Sequence, residues 1–463
     1  MTAGRVVLSD AHFAHLRTLL AQLAGLVFDE SRRESMSFCI AERLRATEAR
    51  DVATYLPMLQ DANERQALLD EVTIQETHFF RNPPQIRALR THVLPELLRH
   101  AEANGRRLRI WSAGCSTGEE AYSIAMLLRE LTPTLVGWDV RVIATDVSER
   151  ALEAARSGRY GARAVQMATS TDLARFFVPS GMAYEVRPEV RELVEFRHHN
   201  LVTEPPPFEP DEHVDLILCR NVTIYFSRDT TRGLMQRLHR TLRDGGYLFL
   251  GHSETLWQVS QDFRLVALGS GTDAAFVYRR LDVPAPGLPE RRAVLPDRRT
   301  QDSGPPAAGT DRRLASRRVE PVPVPAEESP AVTPLTVRAA LREGRYADAA
   351  RLAGLLIDAC PLEPQGFYLR GLALVSGGKD AAALVDLRKA VYLDPAAGLA
   401  HFLLAGALSR CGDHGAAVRE FAAAADTLAV TAVAPDAAEL GGRSVHELAA
   451  LCRQLSTRVE ELT

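Results

Sequence analysis

Apolar side chains change their spacing three times along this 463-residue chain. From Asp10 to about Gly105 they recur every three or four positions, as in Phe13, Leu16, Leu20 and Leu23 and later Leu56, Leu59, Leu68 and Val72. That spacing predicts a helical N-terminal unit. Near residue 107 the period changes. Leu108-Arg109-Ile110-Trp111 reads as a buried strand, and 119–131 read as the helix that follows. The alternation continues with strands at 140–144, 214–218 and 246–250 and helices at 148–157 and 228–242. A parallel sheet with crossover helices is the economical arrangement.

Residues 281–334 break the pattern. They hold 11 of the chain's 26 prolines and have no sustained apolar period, which predicts a linker. As a flexible coil of 54 residues it would span roughly 40 Å, so the flanking domains are expected to move independently. Beyond it, Gly344, Gly378 and Gly412 recur at intervals of 34 residues, the signature of a solenoid. The middle unit, with Phe367, Gly371, Leu374, Ala383, Leu387, Ala390 and Pro395, resembles the tetratricopeptide pattern of paired antiparallel helices. A last helix near 445–462 would cap the stack. Four regions are therefore predicted: a helical unit at 1–105, an α/β domain at 106–280, a Pro/Arg-rich disordered linker at 281–334, and helical repeats at 335–463.

Composition narrows the chemistry. The values of 46% apolar and 25% charged residues are ordinary for globular domains, and a net charge of −4 does not advertise nucleic acid as a partner. The six cysteines are scattered without a C-x-x-C pair, so neither a structural metal nor a disulfide framework is expected. No stretch reaches the roughly 18 uninterrupted apolar residues of a spanning helix, and Met1–Asp10 lacks a signal core. The expectation is a cytoplasmic monomer without membrane insertion.

The first strand runs into Ser112-Ala113-Gly114-Cys115-Ser116-Thr117-Gly118-Glu119-Glu120 and then a helix. Small residues at that turn lie where open α/β sheets bind ligands. It is not G-x-G-x-x-G, which argues against a nicotinamide oxidoreductase. Asp146 ends the next strand and can accept the hydroxyls of a ribose; it can equally cap the helix that follows. Glu120 suits a cationic ligand group, or simply the first turn of its helix. His252-Ser253-Glu254 has the residue types of a hydrolase triad, but consecutive residues cannot converge on one another. His198-His199 has no third ligand at metal spacing.

Further stretches occur with these: Gln75-Glu76-Thr77-His78-Phe79-Phe80-Arg81, Tyr122-Ser123-Ile124-Ala125, Ala144-Thr145-Asp146, Asn200-Leu201, Cys219-Arg220-Asn221-Val222 with Ile224-Tyr225-Phe226, and Gly251-His252-Ser253-Glu254. Across residues 10–280 the sequence resembles the CheR-type chemotaxis receptor methyltransferases. The resemblance implies a Rossmann-like class I methyltransferase domain behind a helical N-terminal unit. It implies S-adenosylmethionine as cofactor, S-adenosylhomocysteine as product, and glutamates on the cytoplasmic helices of chemoreceptors as methyl acceptors. By position, Gln75, Thr77, Arg81, Gly114, Glu120, Asp146, Asn200, Leu201, Arg220 and Asn221 would line the cofactor site, with Arg81 and Tyr225 near the transferred methyl. Gln75 departs from the family's usual asparagine. In the family a basic helix of the N-terminal unit meets the receptor, so Arg43 and Arg45 are expected to bind substrate. The stretch 177–184 looks short beside the family's receptor-tethering β-subdomain, and the repeats could take a peptide or signalling protein in its place. The alternative is a scaffold that senses S-adenosylmethionine without turnover.

Overall fold

The computed structural model describes residues 6–132, 135–251, 254–269, 274–280, 332–429 and 444–460. The predicted linker at 281–334 therefore lies almost wholly outside the described residues, as do His252 and Ser253. Ten strands are present among the described residues: β1 (Arg107–Ala113), β2 (Asp139–Asp146), β3 (Arg159–Gly161), β4 (Phe177–Ser180), β5 (Ala183–Val186), β6 (Val194–His198), β7 (Val214–Cys219), β8 (Leu242–Leu250), β9 (Phe263–Leu268) and β10 (Ala275–Arg280). Seven form one sheet in the order β6-β2-β1-β7-β8-β10-β9. Ile110 sits between Val142 and Leu216 in the parallel register of its centre. β1 and β7 are buried along nearly their whole length, as helices on both faces require.

The sheet is not wholly parallel, as the sequence pattern suggested. β10 runs antiparallel to both β8 and β9. β9 starts with alternating buried and exposed positions, which suits an edge strand with one wet face. The small strands β3, β5 and β4 form a separate antiparallel sheet whose β4–β5 hairpin carries the almost fully exposed Met182 at its tip.

The helical unit ends earlier than expected. The helix Asp10–Ala24, the helix Arg33–Thr47 and the helix Ala62–Val72 share a core of their own, built on Phe13, Leu16, Leu20, Met36, Ile40 and Leu68. The helical stretch from Pro83 to Ala103, which contains a π-turn at Leu89–Val93, buries Leu89, Val93, Leu94 and Leu97 against Leu108, Ile110 and Phe249 of the sheet. Its hydrophobic period is helical like that of the preceding segments, so periodicity alone places it with them. Only the partner of its apolar face assigns it to the α/β unit.

Three antiparallel helix pairs follow residue 332: Pro334–Arg342 with Tyr346–Ala359, Pro364–Ser376 with Asp380–Leu393, and Gly398–Arg410 with His414–Ala429. The helix Val445–Glu460 closes the stack. Gly344, Gly378 and Gly412 each turn the chain with φ between +72° and +85°. After each, the same bond recurs, from Arg345 N–H to Ala340 O, Lys379 N–H to Leu374 O and Asp413 N–H to Leu408 O. The 34-residue period is thus a repeated Schellman closure that needs the left-handed region, where glycine carries no Cβ penalty.

The repeats do not float free of the α/β unit. Leu362, Phe367 and Leu393 share a buried cluster with Leu256, Phe263 and Leu265. The expected independence of the two domains gives way to this apolar contact, which linker composition could not reveal.

Candidate functional site

A single cavity opens over the C-terminal ends of β1, β2 and β7, where the strand order reverses direction from β1. Gln75, Thr77, Arg81, Gly114, Glu120, Asp146, Asn200, Leu201, Arg220, Asn221 and Tyr225 all line it. Residues as far apart in sequence as Gly114, Asp146 and Arg220 thus face one space, because three parallel strands end side by side.

The turn after β1 is held from β2. The Gly114 and Cys115 N–H groups both donate to Thr145 O at 2.8 Å. Gly114 has φ +82°, and a Cβ there would lie 2.5 Å from Val222 Cγ2, so the residue is fixed as glycine by conformation and by space. Asp146 accepts the N–H of Ser116 at 2.8 Å and of Ser148 at 2.9 Å. Burial raises its pKa, while the N–H bonds from Ser148 and Ser116 pull the other way. The cap of the following helix is Ser148, whose Oγ accepts Ala151 N–H at 3.1 Å, so Asp146 does not cap it; Asp146 braces the turn after β1 and lines the cavity.

Glu120 lies in the first turn of the helix Glu119–Leu131. Its carboxylate accepts Ser112 Oγ at 2.7 Å and Arg220 Nη1 at 3.0 Å. Arg220 also donates through Nη2 to Arg81 O at 2.9 Å, and its buried Nε has no acceptor among the described residues. An anion beside a cation with a donor to spare is the complement of a zwitterionic amino-acid group. Asp146 can accept ribose hydroxyls, and Ile124, Leu201 and Val222 supply an apolar wall. This donor set fits S-adenosylmethionine.

Other cavity residues also bond within the protein. Asn200 spends its amide inside the protein, donating to Leu23 O at 2.7 Å and accepting from Val202 and Thr203 N–H. It braces the helical unit against the sheet. Gln75 reaches Ser116 Oγ through Oε1 and Thr73 Oγ1 through Nε2, so the longer amide serves the turn. Arg81 donates to Glu76 O at 2.8 Å. Tyr225 sits in a 3-10 turn whose carbonyl accepts Val27 N–H at 2.8 Å. Burial raises its pKa, opposed by Arg32 and Arg81.

Arg32 and Phe28 also line the cavity and escaped sequence reasoning. The Arg32 guanidinium lies 4.4 Å from the Phe28 ring centre and 5.3 Å from that of Tyr225. Nothing in the local pattern joins positions 32 and 225. The expectation for Arg43 needs correction: it makes a bidentate pair with Glu64 at 2.9 and 2.8 Å, and Tyr55 donates to the same carboxylate at 2.7 Å. Its side chain is only 16% exposed, so it is a brace of the helical unit. Arg45 is 57% exposed and faces solvent beside Glu42.

Two buried thiols near the sheet's C-terminal edge offer no nucleophile. Burial pushes Cys115 and Cys219 well above the usual thiol range.

Comparison with known proteins gives the same division of the chain. Residues 11–73 match the family described as CheR methyltransferase, all-alpha domain, and residues 75–271 match CheR methyltransferase, SAM binding domain. The chemotaxis protein methyltransferase of Escherichia coli is 36% identical over 273 residues, covering 56% of this chain and 90% of that protein. Chemotaxis protein methyltransferase 2 of Vibrio cholerae is 33% identical over 266 residues, covering 57% of this chain and 91% of its own length. A 104.1 kDa uncharacterised protein of Rhodobacter capsulatus is 36% identical over 258 residues, covering 55% of this chain and only 26% of that longer protein. Among solved structures, a T3SS complex from Aeromonas hydrophila matches 27% of this chain and 77% of its own at 19% identity, with a TM-score of 0.24; the repeat architecture rests on the helix pairing above.

Proposed function

The chain belongs to the CheR methyltransferase family, and from that premise we propose that it methylates glutamate side chains on the cytoplasmic helices of chemoreceptors. The observation that carries this reading is the grouping of Glu120, Arg220 and Asp146 in one cavity with Arg81 and Tyr225 at its wall.

S-adenosylmethionine supplies a methyl group made electrophilic by its bond to a positively charged sulfur. The acceptor needs no activation. A glutamate carboxylate has a reference pKa of about 4.3 and is ionised near neutrality, so this chain has no proton to remove. An acceptor oxygen forms the new bond to the methyl carbon as the carbon–sulfur bond breaks, leaving a methyl ester and a neutral thioether. Glu120 and Arg220 fix the amino-acid end, Asp146 the ribose, and Arg81 orients the incoming carboxylate beside the Tyr225 hydroxyl. Placement of this kind can supply up to about 7–11 kcal/mol in ideal cases.

Substrate approach is assigned to the outer face of the helix Arg33–Thr47. Arg45 and the exposed Phe38 together offer a cation and an apolar side chain to an acidic amphipathic helix. The short β4–β5 hairpin makes a receptor-tail tether dispensable, and the repeats provide a groove for a peptide or signalling protein. The protein acts as a cytoplasmic monomer in this reading.

The test is methyl-ester formation on a purified chemoreceptor cytoplasmic fragment, read as base-labile methanol release, together with calorimetric binding of S-adenosylhomocysteine. Ester formation lost in Arg81→Ala supports the reading. Cofactor binding without ester on any receptor fragment would replace it with the sensing-scaffold alternative.

A further inference from the structure

Glu254 follows β8, contributes nothing to the cavity lining, and is buried. Its carboxylate gathers the loop that carries the cofactor residues. Oε2 accepts the N–H of Asn221 at 2.6 Å and of Gly251 at 2.6 Å. Oε1 accepts the N–H of Val222 at 2.9 Å, the N–H of Thr223 at 2.7 Å and Thr223 Oγ1 at 2.8 Å. Three successive backbone N–H groups converging on one anion form a nest. The nest matters because Asn221 holds φ +59°, a left-handed conformation that a non-glycine residue adopts at a cost. Gly251 lets the carboxylate in, since a Cβ there would stand 2.6 Å from Glu254 Oε2.

The other end of the same residue is held by the repeats. The Tyr392 hydroxyl, from the helix Asp380–Leu393, donates to Glu254 O at 3.0 Å. Its ring lies 5.0 Å from Phe276 and 6.3 Å from Tyr278. Tyr278 in turn accepts Leu256 N–H at 3.1 Å. Carboxylate and carbonyl of one residue thus tie two domains to the Arg220–Tyr225 wall of the cavity.

We propose that Glu254 is a positioning residue for the cofactor site and that the repeat domain, through Tyr392, holds Glu254 in place. The repeats are then part of the working methyltransferase unit and not only an appended partner-binding module. The inference rests on the cofactor reading of the cavity and is independent of which protein is methylated.

Two substitutions in the full chain test it, read by calorimetric affinity for S-adenosylhomocysteine, by amide hydrogen exchange of residues 219–226 without ligand, and by thermal midpoint. Glu254→Gln removes the anion from the nest, and loss of its charge-assisted bonds should weaken binding about tenfold or more and speed exchange at 221–223. Tyr392→Phe deletes one hydroxyl and keeps the ring, and should weaken binding about fivefold with faster exchange in the same segment and an unchanged thermal midpoint. A lowered midpoint with wild-type affinity and exchange at 221–223 would make either residue merely structural and overturn its part of the proposal. Should Glu254→Gln fail to fold, Glu254→Asp, which keeps the anion but shortens its reach, replaces it with the same two outcomes. Failure of the unsubstituted protein to bind S-adenosylhomocysteine would instead strike the cofactor reading, and the exchange measurement would still decide whether Tyr392 and Glu254 hold the loop.

Discussion

The Glu120 carboxylate meets the Arg220 guanidinium at 3.0 Å on the cavity floor, with side-chain exposures of only 13% and 5%. Two charges taken this far out of water stabilise one another, and removing one strands the other. Arg220→Ala should therefore cost about 3 kcal/mol of stability and abolish S-adenosylhomocysteine binding. Glu120→Gln keeps the shape and should cost less stability while still weakening the ligand. Denaturant unfolding with calorimetry checks this; wild-type stability in Arg220→Ala would show that the pair contributes nothing.

Asp146 gives the site a pH dependence. Burial raises its pKa above the ordinary 3.8, so the free protein holds this proton more firmly than the unfolded chain does. That contribution to stability is present at pH below 3.8 and is lost as pH rises through the raised value. Ribose recognition needs the ionised form, so affinity should fall as acid protonates Asp146, and binding in that window should release a proton. Calorimetry at a series of pH values upward from 3.8, in buffers of different ionisation enthalpy, would detect it. Asp146→Ala should lose measurable binding together with the acid dependence.

Arg43 and Arg45 should separate cleanly. Arg43→Ala leaves Glu64, whose side chain is only 13% exposed, without its bidentate partner and should destabilise the helical unit by roughly 3 kcal/mol. Arg45→Glu should change stability by no more than about 0.5 kcal/mol while slowing methylation of a receptor fragment. Equal thermal midpoints for the two variants would contradict the assignment of Arg43 as a brace.

His401 makes the repeats sensitive near neutrality. Burial would lower its pKa, but the hydrogen bond to Glu420 at 2.6 Å and the charge of that carboxylate outweigh it, and the pKa ends above 6.5. A raised value means that the stabilisation is complete below pH 6.5 and is lost as pH climbs through the folded-state pKa. Protection of the helix Gly398–Arg410, expressed relative to the intrinsic exchange rate at each pH, should fall as pH rises above 6.5, and His401→Gln should flatten that profile.

Much of this protein was legible in one dimension wherever a signal is local. The change of apolar period at residue 107 placed β1, the 34-residue spacing of Gly344, Gly378 and Gly412 placed three helix turns, and the small residues from Ser112 to Gly118 placed the ligand turn. Hydrophobic period and positive φ are properties of a few neighbouring residues, so sequence states them directly. The partner of a face is not such a property. Periodicity could not say that the stretch from Pro83 to Ala103 packs on the sheet, that Arg43 is claimed by Glu64, or that Arg32 covers Tyr225. Nor could it say that a tyrosine of the repeats would reach Glu254, 138 residues away. Sequence by itself determined the helical unit, the strands β1, β2, β7 and β8, the helical repeats, the family and most of the residues that gather at the cavity; tertiary packing alone decided which charges stay free and which domains work as one, because burial and pairing depend on neighbours brought together only when the chain folds.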